Sequence, residues 1–184
     1  MDITVIGRGN LGGGLARLWA RAGHRVTQLG RGGGEAGASD VVLLAVPGTA
    51  VEAALSSVAG LEGKPVLDAT NLYGGARPPA GFPSNAEYVK SVTGGPTAKA
   101  FSTNFASLFG RIAEARVRPG NLWSGDDEAG DLVERLSLDA GYEAVRLGDL
   151  SLAATQEGLA GPIFAIAQAG LGQFVYRMAA PEQL

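Results

Sequence analysis

The chain of 184 residues has no cysteine and a single histidine, His24. Without thiols there is no disulfide, no thiolate nucleophile and no iron–sulfur ligand. One imidazole among scattered carboxylates makes no zinc-ligand pattern, so no metal site is expected. Positive charge is not in excess either: 15 Lys and Arg stand against 18 Asp and Glu, a net charge of −3. With no basic stripe, nucleic acid is not an expected partner. Uninterrupted apolar runs are also scarce. The longest apolar stretch, 152–178, is broken by Gly158, Gly161 and Pro162 and carries Gln156, Glu157, Gln168, Gln173 and Arg177. A bilayer span needs about 20 predominantly apolar residues, so no membrane contact is expected. Met1 leads directly into an apolar run, with no basic n-region and h-region before it. The expected location is the cytoplasm.

What the chain has in quantity is glycine, 29 residues, within a composition that is 46% hydrophobic. The glycines are distributed rather than periodic, and no internal repeat is present. Their densest use is at the start, MDITVIGRGNLGGG. Ile3, Val5 and Ile6 form a short β-prone run. Gly7, Gly9 and Gly12 follow with G-x-G-x-x-G spacing, and Leu11, Leu15, Leu18 and Trp19 recur at helical spacing. Strand, glycine turn and helix in this order match the dinucleotide-binding fingerprint. Gly7 permits the tight turn, Gly9 lets a pyrophosphate approach the backbone, and Gly12 lets the helix pack close to the strand. Free N–H groups at the helix start then face the phosphates. A ligand-free glycine-rich loop is the alternative, and the flanking strand and helix weigh against it.

The first helix is expected to run to about Ala22, with Gly23 as its stop, and 24–29 as the second strand. His24 lies at the wrong end of that strand for a ligand and reads as a packing residue. At the far end stand Gly30 and Arg31, where an NAD-binding chain places a carboxylate for the ribose 2′-hydroxyl. A guanidinium there pairs with a 2′-phosphate instead, so Arg31 points to NADP(H). Arg8, inside the glycine loop, adds a second positive contact. Each arginine has the alternative of lying solvated. Residues 31–40 are too few for a helix and a strand. A helical remnant at 35–38 and an adenine pocket open on one side are expected.

The run 40–47 reads as a buried central strand, and 64–71 as the next strand with its exit loop. By the rule that ligands meet the carboxyl ends of parallel strands, Pro47–Thr49 and Thr70–Asn71 face the nicotinamide. Ser84, with Glu87 three residues on, predicts a capping box. Residues 96–101 read as a strand, with Thr103 and Asn104 at its end as ligand contacts. Lys99 is open between a base, a phosphate ligand and a half-exposed strand residue. Phe105 and Phe109 are expected on one side of a helical turn. Asp126 and Asp127 read as a helix cap, and 152–178 as two helical pieces.

The segments GRGNLGGGLA, GHRVTQLGR, SDVVLLAVP, LDATN, KAFST and SGDDEAGDLVERLSLDAGYEAVRLGDL resemble the NADP oxidoreductases dependent on coenzyme F420, a 5-deazaflavin, and span about 1–155. The pattern also occurs in the reductase domains of the six-transmembrane metalloreductases of prostate. The resemblance implies a Rossmann-like fold, NADPH as one partner, and a flavin or deazaflavin as the other. It places Gly7, Arg8, Gly9, Asn10, Leu11 and Gly12 at the phosphates and Gly30 and Arg31 at the 2′-phosphate. Val46, Pro47 and Asn71 fall near the nicotinamide. Two departures stand out: the segment after Arg31 is shorter than the family's, and the carboxy-terminal part is short and poorly matched.

The expectation is therefore an α/β protein with a Rossmann-like, doubly wound, mostly parallel sheet. An NADP(H)-binding domain covers 1–150. A helical extension, 151–184, packs on the sheet or forms a homodimer contact. The expected function is NADPH-dependent hydride transfer to a flavin-like or coenzyme F420 acceptor. The alternative is a non-catalytic NADP(H)-binding module that senses redox state or docks to a partner. Ring-to-ring transfer needs no catalytic side chain, and none is assigned. Were a small carbonyl the substrate, the candidates for proton donor are Lys99 and Tyr73.

Overall fold

The computed structural model describes residues 1–181. The apolar runs Asp2–Ile6 (β1), Arg25–Leu29 (β2), Val41–Leu44 (β4), Val66–Asp68 (β6) and Thr97–Ala100 (β7) are mutually parallel strands of one sheet. Gly120–Gly125 (β8) joins antiparallel to β7, and Glu143–Gly148 (β9) runs parallel to β8. The seven strands are ordered β2-β1-β4-β6-β7-β8-β9. Residues 41–44 and 97–100 are buried throughout, as expected for central strands covered on both faces.

Helices cover the two faces. Asn10–Arg21 (α1), Gly130–Asp139 (α4) and the tight turns of 106–114 lie over a core of Ile3, Val5, Leu43, Leu67, Phe101, Trp123 and Tyr142. Trp19 of α1 packs into that core and donates from its indole to the Leu136 carbonyl of α4 at 2.9 Å. Val51–Ser56 (α2) and Asn85–Thr93 (α3) lie over the other face, around Ile6, Val42, Leu44, Val66 and Val89. This is the doubly wound α/β arrangement that the sequence predicts. Gly23, with φ +93°, follows α1 as expected. Ser84 caps α3: its hydroxyl accepts the Glu87 N–H at 3.2 Å and donates to the Glu87 carboxylate at 2.8 Å.

Three local expectations are corrected. Residues 35–38 form no helical remnant. Gly34–Glu35 (β3) pairs instead in parallel with Val58–Ala59 (β5) as a separate two-stranded unit. Gly33 and Gly34 sit at φ +70° and +155°, which breaks helical geometry, and a Cβ on Gly33 would lie 1.9 Å from the Ser57 carbonyl oxygen. Asp126 caps no helix. Its carboxylate accepts from the Thr97 N–H at 2.8 Å and from Lys90 Nζ at 2.7 Å, tying α3 to β7. Phe105 and Phe109 separate: Phe109 is buried against α1, whereas Phe105 meets Phe164 and Phe174 edge to face.

The carboxy-terminal part forms Ala153–Gly158 (α5) and Ala160–Ile166 (α6), then a π-type turn over Ala167–Leu171. α5 packs on β7 and β8 and buries Gln156 completely. Residues 173–180 are non-helical and return to the sheet, where the Gly120 N–H donates to the Tyr176 carbonyl at 2.7 Å. His24 is a buried packing residue, with Nε2 2.8 Å from the Asp139 carboxylate. Among the described residues no helix is long and apolar enough to cross a membrane.

Candidate dinucleotide and acceptor site

The sheet changes winding direction between β1 and β4, and their exit loops meet there. In open α/β sheets that crevice is where ligands bind. Gly7, at φ +119°, turns the chain out of β1, and a Cβ on it would lie 2.1 Å from the Ala45 carbonyl oxygen. A Cβ on Gly12 would lie 2.3 Å from the Gly7 carbonyl oxygen and 3.1 Å from Val5. Both glycines are thus required by the packing of strand, turn and helix. Gly9 differs: a Cβ there meets nothing within 4 Å. The space above it is open, as a backbone approached by a ligand requires.

α1 begins at Asn10, with Gly9 at its N-cap, no side-chain cap and no acidic residue in its first turn. The N–H groups and the positive end of the helix dipole therefore face the crevice without an internal anion. Beside them, Arg8 extends to the end of β2 and donates to the Gln28 carbonyl at 2.8 Å from Nη2 and 3.3 Å from Nε. The guanidinium lies against Gly30, where a Cβ would sit 3.5 Å from Arg8 Nε. Arg31 is exposed in the turn closed by Gly33 N–H to Gly30 O at 3.1 Å. The structure brings Arg8, Gly30 and Arg31 to one place, with Arg8 the better fixed of the two arginines.

The residues expected near the nicotinamide also converge. Asn10, Leu11, Val46, Pro47 and Asn71 line one cleft of about 660 Å³, together with Tyr73. A Cβ on Gly48 would lie 2.3 Å from the Asn71 carbonyl oxygen, so the loops after β4 and β6 are in close contact. Asn85, which sequence reasoning missed, joins these loops: its amide donates to Gly48 O at 3.1 Å and Thr70 Oγ1 at 3.0 Å. Asn71 Nδ2 donates to Ser102 O at 2.6 Å. Its Oδ1 is buried and has no hydrogen-bond partner among the described residues.

A second cavity of about 190 Å³ adjoins the first and shares Leu11, Asn71 and Tyr73 with it. Thr103, Phe105 and Phe164 are among its other walls. Thr103 itself is only 3% exposed, and its hydroxyl shares a 2.5 Å hydrogen bond with the Tyr176 phenol. The Tyr176 phenol also accepts the Leu122 N–H at 3.3 Å, and burial raises its pKa. The loop carrying Thr103 starts at Phe101, the one non-glycine with positive φ (61°) among the described residues. Such a conformation costs about 1–3 kcal/mol and is held only by its surroundings. Here Asn121 Oδ1 accepts the Phe101 N–H at 2.9 Å.

Lys99 is neither half exposed nor a ligand contact. It is fully buried, and Nζ donates to Asp68 Oδ2 at 2.9 Å, to Glu157 Oε1 at 2.7 Å and to the Thr70 carbonyl. Asp68 Oδ1 accepts the Thr70 N–H at 2.9 Å, the structural role open to it from sequence. Lys99 and Asp68 thus clamp the peptide groups just before Asn71. Burial raises the Glu157 pKa against the opposing pull of Lys99. Among the described residues no cluster of three or more His, Cys, Asp or Glu side chains could hold a metal ion.

No family model matches the chain, and no curated protein matches it. Solved structures do. A protein from Arthrobacter sp. FB24, provisionally assigned as an F420-dependent NADP reductase, superposes with a TM-score of 0.80 at 23% identity over 98% of this chain and 100% of that one. A reductive aminase from Aspergillus terreus, in complex with NADPH and ethyl levulinate, gives 0.66 at 20% identity over 91% of this chain and 62% of that one. The 3-hydroxyisobutyrate dehydrogenase of Mycobacterium tuberculosis gives 0.61 at 14% identity over 91% and 63%. At these identities the likeness establishes a shared Rossmann-like fold.

Proposed function

We propose that the chain is an oxidoreductase that binds NADP(H) over its glycine loop and exchanges a hydride with a flavin-like or deazaflavin ring, coenzyme F420 being the first candidate. The observation that carries this reading is the pair of adjoining cavities that share Leu11, Asn71 and Tyr73. Hydride transfer requires two rings side by side, and this geometry provides two spaces that meet. The dinucleotide fits the residues present. Gly9 leaves room for the pyrophosphate, the uncapped start of α1 supplies N–H donors, and Arg8 with Arg31 supplies charge for the 2′-phosphate. Asn71 Oδ1, buried without a donor, suits a carboxamide N–H at the nicotinamide end, since an unpaired buried acceptor costs about 1–3 kcal/mol. When bound, NADPH supplies the hydride; the chain orients the ring and shields it from water. Fold-mates with NADPH bound support the same reading.

The modest volume of the second cavity, about 190 Å³, favours the second reading, a non-catalytic NADP(H)-binding module. Titration with NADPH, then with coenzyme F420, FMN or FAD, separates the two. Turnover establishes the oxidoreductase, whereas tight binding without turnover overturns transfer to a flavin-like or deazaflavin ring. We expect a second copy of the chain as partner, covering the exposed Phe164, Ile166, Leu171, Val175 and Met178. Sedimentation of Leu171→Asp, expected to be monomeric beside a dimeric parent, tests this.

A further inference from the structure

Ring-to-ring hydride transfer uses no proton donor, yet one stands where the two cavities meet. Tyr73 lines both cavities and is 55% exposed. Its ring is held edge-on by Phe164, with centroids 5.8 Å apart and planes at 79°. Asn71 Nδ2 donates one hydrogen to Ser102 O at 2.6 Å and the other to the Tyr73 phenol oxygen at 3.2 Å. A backbone carbonyl can only accept, so the Ser102 contact fixes which end of the amide faces Tyr73. The phenol oxygen therefore accepts, and its own proton remains available to the cavity. The second cavity is lined by apolar Leu11, Ala106 and Ile163 and by polar Asn71, Tyr73, Ser102, Thr103 and Asn104. Its volume of about 190 Å³ suits a small molecule.

We propose that the chain also reduces a small apolar aldehyde or ketone, with Tyr73 delivering the proton to the carbonyl oxygen. This rests on the NADP(H)-binding half of the proposed function and not on the deazaflavin. The carbonyl carbon gains a hydride, with its electron pair, from NADPH, and a C–H bond forms as one in the reduced nicotinamide breaks. The C=O π pair moves to oxygen, which takes the Tyr73 phenol proton. The products are an alcohol and NADP⁺. The Tyr73 phenolate keeps the Asn71 N–H and regains a proton from water, which reaches it because the side chain is half exposed. Lys99 is excluded as the donor, since it is fully buried with its ammonium on three acceptors.

The test uses the full chain with NADPH and either benzaldehyde or acetone, and compares it with Tyr73→Phe. The parent is expected to oxidise NADPH when either carbonyl is present. With NADPH held at saturation, Tyr73→Phe is expected to lose about 100-fold or more in kcat, the usual contribution of a positioned general acid. A second readout needs no turnover: benzamide, a carbonyl that is not reduced, is followed by saturation-transfer NMR. It is expected to bind the parent and to lose its signal in Tyr73→Phe. The proposal is overturned if the parent binds NADPH but oxidises it with neither carbonyl. An unchanged rate or unchanged benzamide signal in Tyr73→Phe also overturns it. Failure of the parent to bind NADPH overturns the underlying reading along with it.

Discussion

Lys99 of β7 and Glu157 of α5 meet at 2.7 Å with their side chains 0% and 9% exposed. Asp68 of β6, also fully buried, completes the cluster at 2.9 Å. One ammonium thus joins two neighbouring strands to α5, directly behind the loop that carries Asn71. Removing one partner from such a cluster leaves a charge out of water without compensation, at a cost of about 3–5 kcal/mol.

Lys99→Met is therefore expected to destabilise the chain by about that amount, because Asp68 and Glu157 then face each other unneutralised. Urea unfolding followed by circular dichroism measures it. A loss within about 0.5 kcal/mol, typical of surface changes, would defeat this account of the cluster.

Glu157 gives a pH signature. Burial holds its folded pKa above the ordinary 4.5, so the folded state binds more protons than the unfolded one between those two values. Its contribution to stability is complete below about 4.5 and falls as pH rises through the folded pKa. Glu157→Gln keeps an acceptor for Lys99 and removes the titration. Its stability is expected to stay level across this window while the parent's declines, as read by unfolding midpoints at successive pH values. Parallel curves would show that Glu157 does not titrate differently in the two states.

The three glycines of the loop separate fold from ligand. Gly12→Ala places a methyl 2.3 Å from the Gly7 carbonyl oxygen and is expected to cost about 1–3 kcal/mol of stability. Gly9→Ala meets no protein atom within 4 Å, so its melting temperature should match the parent's while NADPH binding weakens. Calorimetry gives both quantities. A Gly9→Ala chain with parental affinity would remove the phosphates from this loop.

For cofactor choice, Arg8→Gln and Arg31→Ala are each expected to weaken NADPH about tenfold or more, the value of a charge-assisted contact, and NADH far less. Arg8 is held by Gln28 O and should show the larger effect. Equal weakening of both dinucleotides would defeat the 2′-phosphate assignment.

Much of this was legible in the sequence because it is local. The order of strand, glycine turn and helix over 2–21 follows from spacing, and Gly7 and Gly12 are needed by contacts a few residues away. The central strands betray themselves as runs buried on both faces. What was not legible depends on partners distant in sequence. Lys99 could not be called buried until Glu157, 58 residues on, was seen to reach it. Asn121 is recognisable as a support only once Phe101 lies 2.9 Å away. Between Arg31 and Asp40 the sequence suggests a helical remnant at 35–38, and the pairing of Gly34–Glu35 with Val58–Ala59, more than twenty residues on, overturns it.

The tail segment around Tyr176 has a consequence for the order of synthesis. A ribosome makes the glycine loop before Glu157, Phe164 and Tyr176. A nascent chain that has emerged to about residue 150 already holds the glycine loop, Arg8, Arg31 and Asn71. It still lacks the third partner of Lys99, the aromatic wall beside Tyr73 and the hydroxyl that holds Thr103. The cavity walled by Thr103 and Phe164 is therefore finished only when residues 153–176 have emerged and folded back, and premature termination before them leaves it with one wall missing.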